Sequence, residues 1–309
     1  MNEDKVMAIF FDIDDFCKEI DEFSMKKDLL GDGVARRNRK SQLSLSEKMT
    51  IYVCFHLSGY TNFKRYYNEL VKERWKDMFP QLISYERFNQ TQNRLFIPLM
   101  MYLTKRALGK CTGISFVDST ILTVCHIKRE KQNKVFKGFA QKSKSTMGWF
   151  FGFKLHLIIN DKGELLNFCF SRANVDDRDL KILKIMTKEV FGKLFGDRGY
   201  ISEKLAEFLW NDGISMIYKR RKNMKKMNLS DTDKVLLRKR AVIESVNDEL
   251  KNICSLQHTR HRSMQGFLNN AVTSLIAYQT FTKKPSIKME HYLKDNQPLL
   301  PFLKHNSRQ

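Results

Sequence analysis

The sequence predicts an α/β protein: a mixed sheet covered by helices and preceded by an all-helical region. Three observations predict it. The first 110 residues read in short helical periods, β-rich runs begin near Gly113, and three antiparallel strands then give way to short strands alternating with helices. The chain has 309 residues, 42% of them apolar, enough for substantial cores. The expected division is 1–110 helical, 111–282 sheet and helices, and 283–309 an irregular tail containing Pro285, Pro298 and Pro301.

Ser46 and Glu47 open a helical segment to about Leu57, which Gly59 breaks. Thr61 begins a second to about Glu73, and after Phe79-Pro80 a third runs from Ser84 to about Leu108. Ile114 to Val117 reads as a strand ending at Asp118, and Leu122 to His126 as a second. Lys128 to Lys144 reads as a basic loop. Trp149 to Ile159 is a long aromatic strand, with Lys154 and His156 on one face. Asn160-Asp161-Lys162-Gly163 is a hairpin turn signal, and Glu164 to Ser171 pairs back. A helix follows from about Asp177 to Phe191, its start capped by Asp176, Asp177 and Asp179. Lys193 to Gly196 is a short strand ending at Asp197, Ser202 to Trp210 a helix, and Ile214 to Tyr218 a strand. Ser230 caps one helix running to about Ile253, with Asp233 in capping-box spacing. Ser263 to Phe281 is a final apolar helix.

Charge narrows the partner. Lys plus Arg total 55 and Asp plus Glu total 34, a net +21. That excess calls for a polyanion: nucleic acid or an acidic membrane surface. The longest apolar runs, such as Phe96 to Leu103, are far short of the roughly 20 residues a spanning helix needs. The first twenty residues have no basic stretch leading an apolar one, so no signal peptide is expected and the protein is placed in the cytoplasm. Cys17, Cys54, Cys111, Cys125, Cys169 and Cys254 are isolated, without zinc-site spacing, and read as reduced thiols.

Three carboxylates stand out by position. Asp118 and Asp197 each follow an apolar strand, where open α/β sheets place their sites. Gly196 and Gly199 flank Asp197 and permit close approach. Glu244 lies mid-helix, and at about 100° per residue Arg240, Glu244, Asn247 and Lys251 form one polar stripe. Carboxylates of this kind suit hard Mg²⁺ ions and phosphate substrates. Two such ions roughly 3.5–4 Å apart can activate a nucleophile and stabilise a leaving oxygen. Taken singly, each acid also reads as a strand-end cap, a turn former or a surface ion-pair partner.

The segment Arg240-x3-Glu244-x6-Lys251 resembles the arginine–glutamate–lysine signature of bacterial insertion-sequence transposases of the DDE type. Phe116-Val117-Asp118-Ser119-Thr120 and Gly196-Asp197-Arg198-Gly199-Tyr200 are similar to that superfamily's two aspartate blocks. Phe11-Asp12-Ile13-Asp14-Asp15-Phe16-Cys17 and Arg260-His261-Arg262-Ser263 resemble the insertion-sequence 982 family. That superfamily often has Tyr three residues before the Arg, where this chain has Leu237. The resemblance implies a ribonuclease H-like catalytic domain without a large insertion. It implies Asp118, Asp197 and Glu244 as catalytic ligands of two Mg²⁺ ions, with Mn²⁺ able to substitute. It further implies cutting at terminal inverted repeats, strand transfer into target DNA, and a dimer when double-stranded DNA is bound in the bacterial nucleoid.

DNA contacts are expected from several basic groups. Lys219, Arg220, Arg221 and Lys222 open a run in which six of eight residues, 219–226, are basic. Arg240, Asn247 and Lys251 flank Glu244, and Arg260, His261 and Arg262 follow the same helix. Arg87 and Arg94 lie in the third N-terminal helix, where a helix-turn-helix element would read terminal repeats. Two rivals share the acids or the charge: a ribonuclease H-like nuclease that cuts without joining, and a transposase-derived DNA-binding regulator. A membrane-surface protein would need a basic amphipathic helix, and none stands out.

Overall fold

The computed structural model describes residues 1–28, 41–146, 148–219, 229–257 and 261–287, with backbone only for 23–28. It divides into two compact units. One combines Met1–Ala107 with Glu249–Phe281, and the other combines Leu108–Asp248 with Thr282–Gln309. The final helix therefore groups with the N-terminal helices rather than with the sheet.

The helical unit contains α1 (Glu3–Asp28), α2 (Leu45–Leu57), α3 (Phe63–Tyr66), α4 (Tyr85–Thr91) and α5 (Phe96–Tyr102). Ser44 caps α2 in a full capping box with Glu47, so the helix starts one residue before the expected Ser46. α2 is buried on almost every face from Ser46 to His56, as is the C-terminal helix over 269–278, and these two form the centre of the unit. His56 links them: its Nδ1 lies 2.6 Å from the Cys254 carbonyl oxygen and its Nε2 2.8 Å from Thr273 Oγ1. The rings of Tyr52 and Phe55 on α2 pack with those of Phe63, Tyr66 and Phe88, and Tyr67 packs on Phe88. The expected helix from Ser84 to Leu108 is broken into α4, a 3₁₀ turn, α5 and a π turn. Pro98 in the first turn of α5 has no N–H to continue the ladder backward, so the break precedes it.

The second unit is built on a six-stranded sheet in the order β2-β3-β1-β5-β6, with β4 also paired to β3. The strands are β1 (Ile114–Cys125), β2 (Gln141–Ser145), β3 (Gly148–Asn160), β4 (Leu165–Arg172), β5 (Gly192–Gly196) and β6 (Ile214–Tyr218). β3 is antiparallel to β1, β2 and β4, whereas β5 runs parallel to both β1 and β6. The strand β2 falls within the expected basic loop, because its alternating Lys and Ser residues carry no apolar face. The expected strands 114–117 and 122–126 are one continuous β1. Asp118 pairs with Leu157 of β3 inside the ladder, so the charge does not end the strand.

The Asn160–Gly163 turn forms as the sequence predicts. Asn160 Oδ1 accepts from the amides of Lys162 and Glu164 at 3.0 and 2.9 Å. Gly163 has φ +75°, and a Cβ there would lie 2.0 Å from the Pro285 carbonyl oxygen. The described part of the tail, 283–287, therefore lies against this turn, and Ile287 donates its amide to Asp161.

Helices α6 (Leu180–Met186) and α7 (Glu203–Asn211) cover one sheet face. Leu183, Met186, Leu205 and Leu209 pack there with Val117, Ile158, Leu194 and Met216. α6 is shorter than expected, and only Asp179 caps it, accepting the amide of Lys181 at 2.8 Å. The expected helix from Ser230 to Ile253 is two helices, α8 (Asp231–Lys239) and α9 (Val242–Asn252), joined by a turn at Arg240 and Ala241. Ser230 caps α8 as expected, accepting from Asp233 N at 3.1 Å. Separate anchors hold the two halves: Asp233 to Lys193 of β5 at 2.6 Å, and Asn247 to Asp118 of β1 at 3.0 Å. α10 (Met264–Gln279) is the final apolar helix. No helix among the described residues is long and apolar enough to cross a membrane. All six cysteines are free.

Candidate active site

The register of β1 and β5 brings the two aspartates together. Phe116 pairs with Phe195, their rings stacked at 5.4 Å, and the parallel pairing ends there. Side chains alternate with period two, so Asp118 and Asp197 follow those rings on the same face. Sequence reading placed both acids at strand ends. Only Asp197 is at one; Asp118 leaves the β5 ladder but stays in the β3 ladder.

Each acid has a local partner. Asp197 Oδ1 accepts the Gly199 amide at 2.7 Å, and a Cβ at 199 would lie 2.8 Å from that oxygen, so a larger residue there would have to displace the carboxylate. Asp118 Oδ2 accepts from Asn247 Nδ2 at 3.0 Å. Glu244 stands in the first turn of α9, where the helix dipole favours a negative charge. Its carboxylate is exposed and accepts from Arg240 Nη2 at 2.6 Å.

The electrostatics of Asp118 tie the acids together. Enclosure by protein pushes its carboxyl up from 3.8 to about 6. The charges of Asp197 and Glu244 push the same way, while Arg240 and the Ser119 amide oppose them. Asn247 is buried at 7% exposure, and its Oδ1 has no hydrogen-bond partner. An orphan acceptor of that kind costs about 1–3 kcal/mol. The Tyr200 hydroxyl is also buried without a partner, and Asp118 and Asp197 both act on it electrostatically.

A cleft of about 820 Å³ opens beside Asp197, lined by Arg198, Lys219, Lys234, Leu237, Arg238 and Arg240 among others. Five cations and one carboxylate give the cleft an excess of positive charge, which suits a polyanionic ligand. Arg198, Lys234 and Arg238 were not singled out in the sequence. Their signal was Lys234 and Arg238 at i, i+4 on α8, and Arg198 inside the second aspartate block.

The remaining expected contacts divide. Lys219 lines the cleft. Asn247 is turned inward to Asp118, so it is a partner of the acid and not an exposed DNA contact, because α9 packs that side against the sheet. The stripe from Arg240 to Lys251 is thereby interrupted; Lys251 lies half-buried in the last turn of α9. Arg87 and Arg94 are exposed, on α4 and the following 3₁₀ turn, as is Arg262. His261 is half-buried, its ring edge-on to Phe267 at 6.0 Å. Arg220, Arg221, Lys222 and Arg260 lie outside the described residues. Lys154 and His156 share a face as expected, but the register places it opposite Asp118. Lys154 donates to Asp177 at 3.0 Å, and His156 Nε2 lies 2.7 Å from Ser171 Oγ. Asp177 thus serves this pair and not a helix start.

Among the described residues, no three His, Cys, Asp or Glu side chains are grouped closely enough to hold a metal ion as they stand. The donor set nonetheless fits one. Asp118 is an enclosed carboxylate made hard to ionise by burial and by two further acids, and an unpartnered amide oxygen adjoins it. Both are oxygen donors of the type hard divalent cations take.

Two aspartates thus share a sheet face beside a cleft lined by cations. Residues 108–264 match the family described as transposase DDE domain, and with just over half the sequence matched, the chain belongs to that family. No curated protein matches it. Among solved structures, a piggyBac transposase synaptic complex with hairpin DNA is similar over 88% of this chain and 72% of that chain, with 13% identity and a TM-score of 0.41.

Proposed function

We propose that the chain is a DNA transposase of the insertion-sequence 982 type with a ribonuclease H-like catalytic domain. It cuts at the terminal inverted repeats of its element and joins the freed 3′ ends to target DNA in the bacterial cytoplasm, as a dimer on paired ends. The observation that carries the reading is the register of β1 with β5. It sets Asp118 and Asp197 on one face, beside Glu244 and a cation-lined cleft. The antiparallel meander β1-β3-β4, extended by parallel β5 and β6, supports the ribonuclease H-like assignment.

In this reading Arg198, Lys219, Lys234, Arg238 and Arg240 hold backbone phosphates, which positions the duplex without reading its sequence. Arg220, Arg221 and Lys222 extend that contact. Lys251 holds phosphate near the far end of α9, and Arg87, Arg94, Arg260, His261 and Arg262 serve repeat recognition. Asp118, Asp197 and Glu244 hold Mg²⁺, or Mn²⁺ in its place; bound there, a pair of such ions activates the attacking hydroxyl and stabilises the leaving oxygen. Phosphate in the cleft competes with Glu244 for Arg240, releasing the carboxylate toward the other two acids. Asn247 keeps the Asp118 carboxylate in one orientation.

The test uses purified protein and linear DNA carrying the element's own inverted repeats, with Mg²⁺ or Mn²⁺. Nicks at the repeat ends and joined products, both lost in Asp118→Asn, support the reading. Cleavage without joining indicates a nuclease, and binding without cleavage a regulator.

A further inference from the structure

We propose that Asn247 is itself part of the cation site: its Oδ1 is a neutral ligand to a divalent cation held by Asp118, while its Nδ2 fixes that carboxylate. The inference rests on the cation-dependent reading above and adds a residue that the three acids do not include. Asn247 is 7% exposed, so its polar atoms are withdrawn from bulk solvent. One end is satisfied, with Nδ2 donating to Asp118 Oδ2 at 3.0 Å. That bond dictates the orientation of the amide, since a carboxylate oxygen accepts and only the NH₂ group donates. The Oδ1 is then directed away from Asp118 Oδ2 and finds no donor. Buried acceptors are satisfied in nearly all proteins, and an exception beside an enclosed carboxylate calls for a ligand.

The ligand's chemistry follows from the surroundings. The oxygen belongs to the amide bonded to Asp118, the carboxylate that the proposed function assigns to a divalent cation. A divalent cation on that carboxylate would give Oδ1 the partner it lacks. Hard cations accept amide carbonyl oxygens alongside carboxylates and water. Asn247 also lies three residues after Glu244 on α9, so the two side chains are neighbours on the helix surface.

The experiment titrates Mn²⁺ into the full chain and reads free Mn²⁺ by electron paramagnetic resonance, without any activity measurement. Folding of each variant is checked by far-ultraviolet circular dichroism. Asn247→Leu is expected to weaken Mn²⁺ binding at least tenfold. Asn247→Asp keeps an oxygen but loses the donor to Asp118, and is expected to bind Mn²⁺ at least as tightly as wild type. Should Asn247→Leu not fold, Asn247→Ala removes the same oxygen and takes its place. Wild-type affinity in the Leu or Ala variant overturns the inference. So does an equal loss in Asn247→Asp, which a purely positioning role requires. Wild-type protein that binds no Mn²⁺, or binds it unchanged in Asp118→Asn, overturns the cation site of the proposed function as well.

Discussion

Replacing Asp118 with Asn should make the protein more stable at neutral pH, and the structure sets the size of the gain. The folded protein raises this carboxyl from 3.8 to about 6, because burial and the neighbouring acids disfavour its charge. A tenfold change in proton affinity is about 1.4 kcal/mol, so ionisation costs the fold at most about 3 kcal/mol. Partial solvent access reduces that to about 1–3 kcal/mol. The sign follows from proton linkage. Between pH 3.8 and about 6 the folded protein binds the proton more tightly than the unfolded chain. Stability therefore falls as pH rises through that window, and the whole penalty is present above it. The introduced amide has nearly the same shape as the carboxyl, still accepts from Asn247, and carries no charge. Urea unfolding with chelator present, at pH 4, 5, 6 and 7.5, measures the difference. The variant should gain about 1–3 kcal/mol at pH 7.5 and almost nothing at pH 4. Equal stability at pH 7.5, or a gain that persists undiminished at pH 4, refutes the account. Added Mg²⁺ should then recover stability in wild type only.

Three further outcomes follow from other parts of the molecule. Replacing Arg198 and Lys219 by Gln removes two cleft cations, so the slope of log affinity for duplex DNA against log salt should become shallower by about 2; an unchanged slope removes these residues from the interface. His56→Ala orphans the Cys254 carbonyl and the Thr273 hydroxyl and leaves a cavity, which should cost about 2–4 kcal/mol in thermal unfolding; a loss below about 1 kcal/mol would show that the link is unimportant. At Gly152 a Cβ would lie 2.0 Å from the Leu122 carbonyl oxygen, so Gly152→Ala should force β1 from β3, costing about 1–3 kcal/mol and speeding amide exchange at 122–124; exchange at the wild-type rate contradicts this.

Some features were legible because they depend on neighbours in sequence. Ser84, Ser202, Ser230 and Ser263 cap helices through their own side chains at the expected starts, whereas the helix expected from Ser46 is capped by Ser44. The Asn160–Gly163 turn is written in the Asn side chain and the glycine φ. The three acids stood out because each sits at the edge of an apolar run or in a helix of marked polarity. Among the N-terminal helices, α1 was not singled out in the sequence, and the breaks in the later ones were not legible, since π and 3₁₀ turns at 67–71, 92–94 and 103–107 have no distinct side-chain signature.

What sequence by itself determined was the identity of the charges, the local starts and stops of elements, and a net charge of +21. These are properties of single residues and of short spacings. Tertiary structure decided the rest. It made Asp118 an interior residue of a long strand, because β3 pairs along its whole length. It turned Asn247 from a DNA contact into a partner of that acid, because α9 buries one side of itself against the sheet. It gathered Arg198, Lys219, Lys234, Arg238 and Arg240 into one cleft. Burial, electrostatic coupling and convergence arise between elements far apart in the chain, and the order of residues fixes them only through the packing of the whole fold.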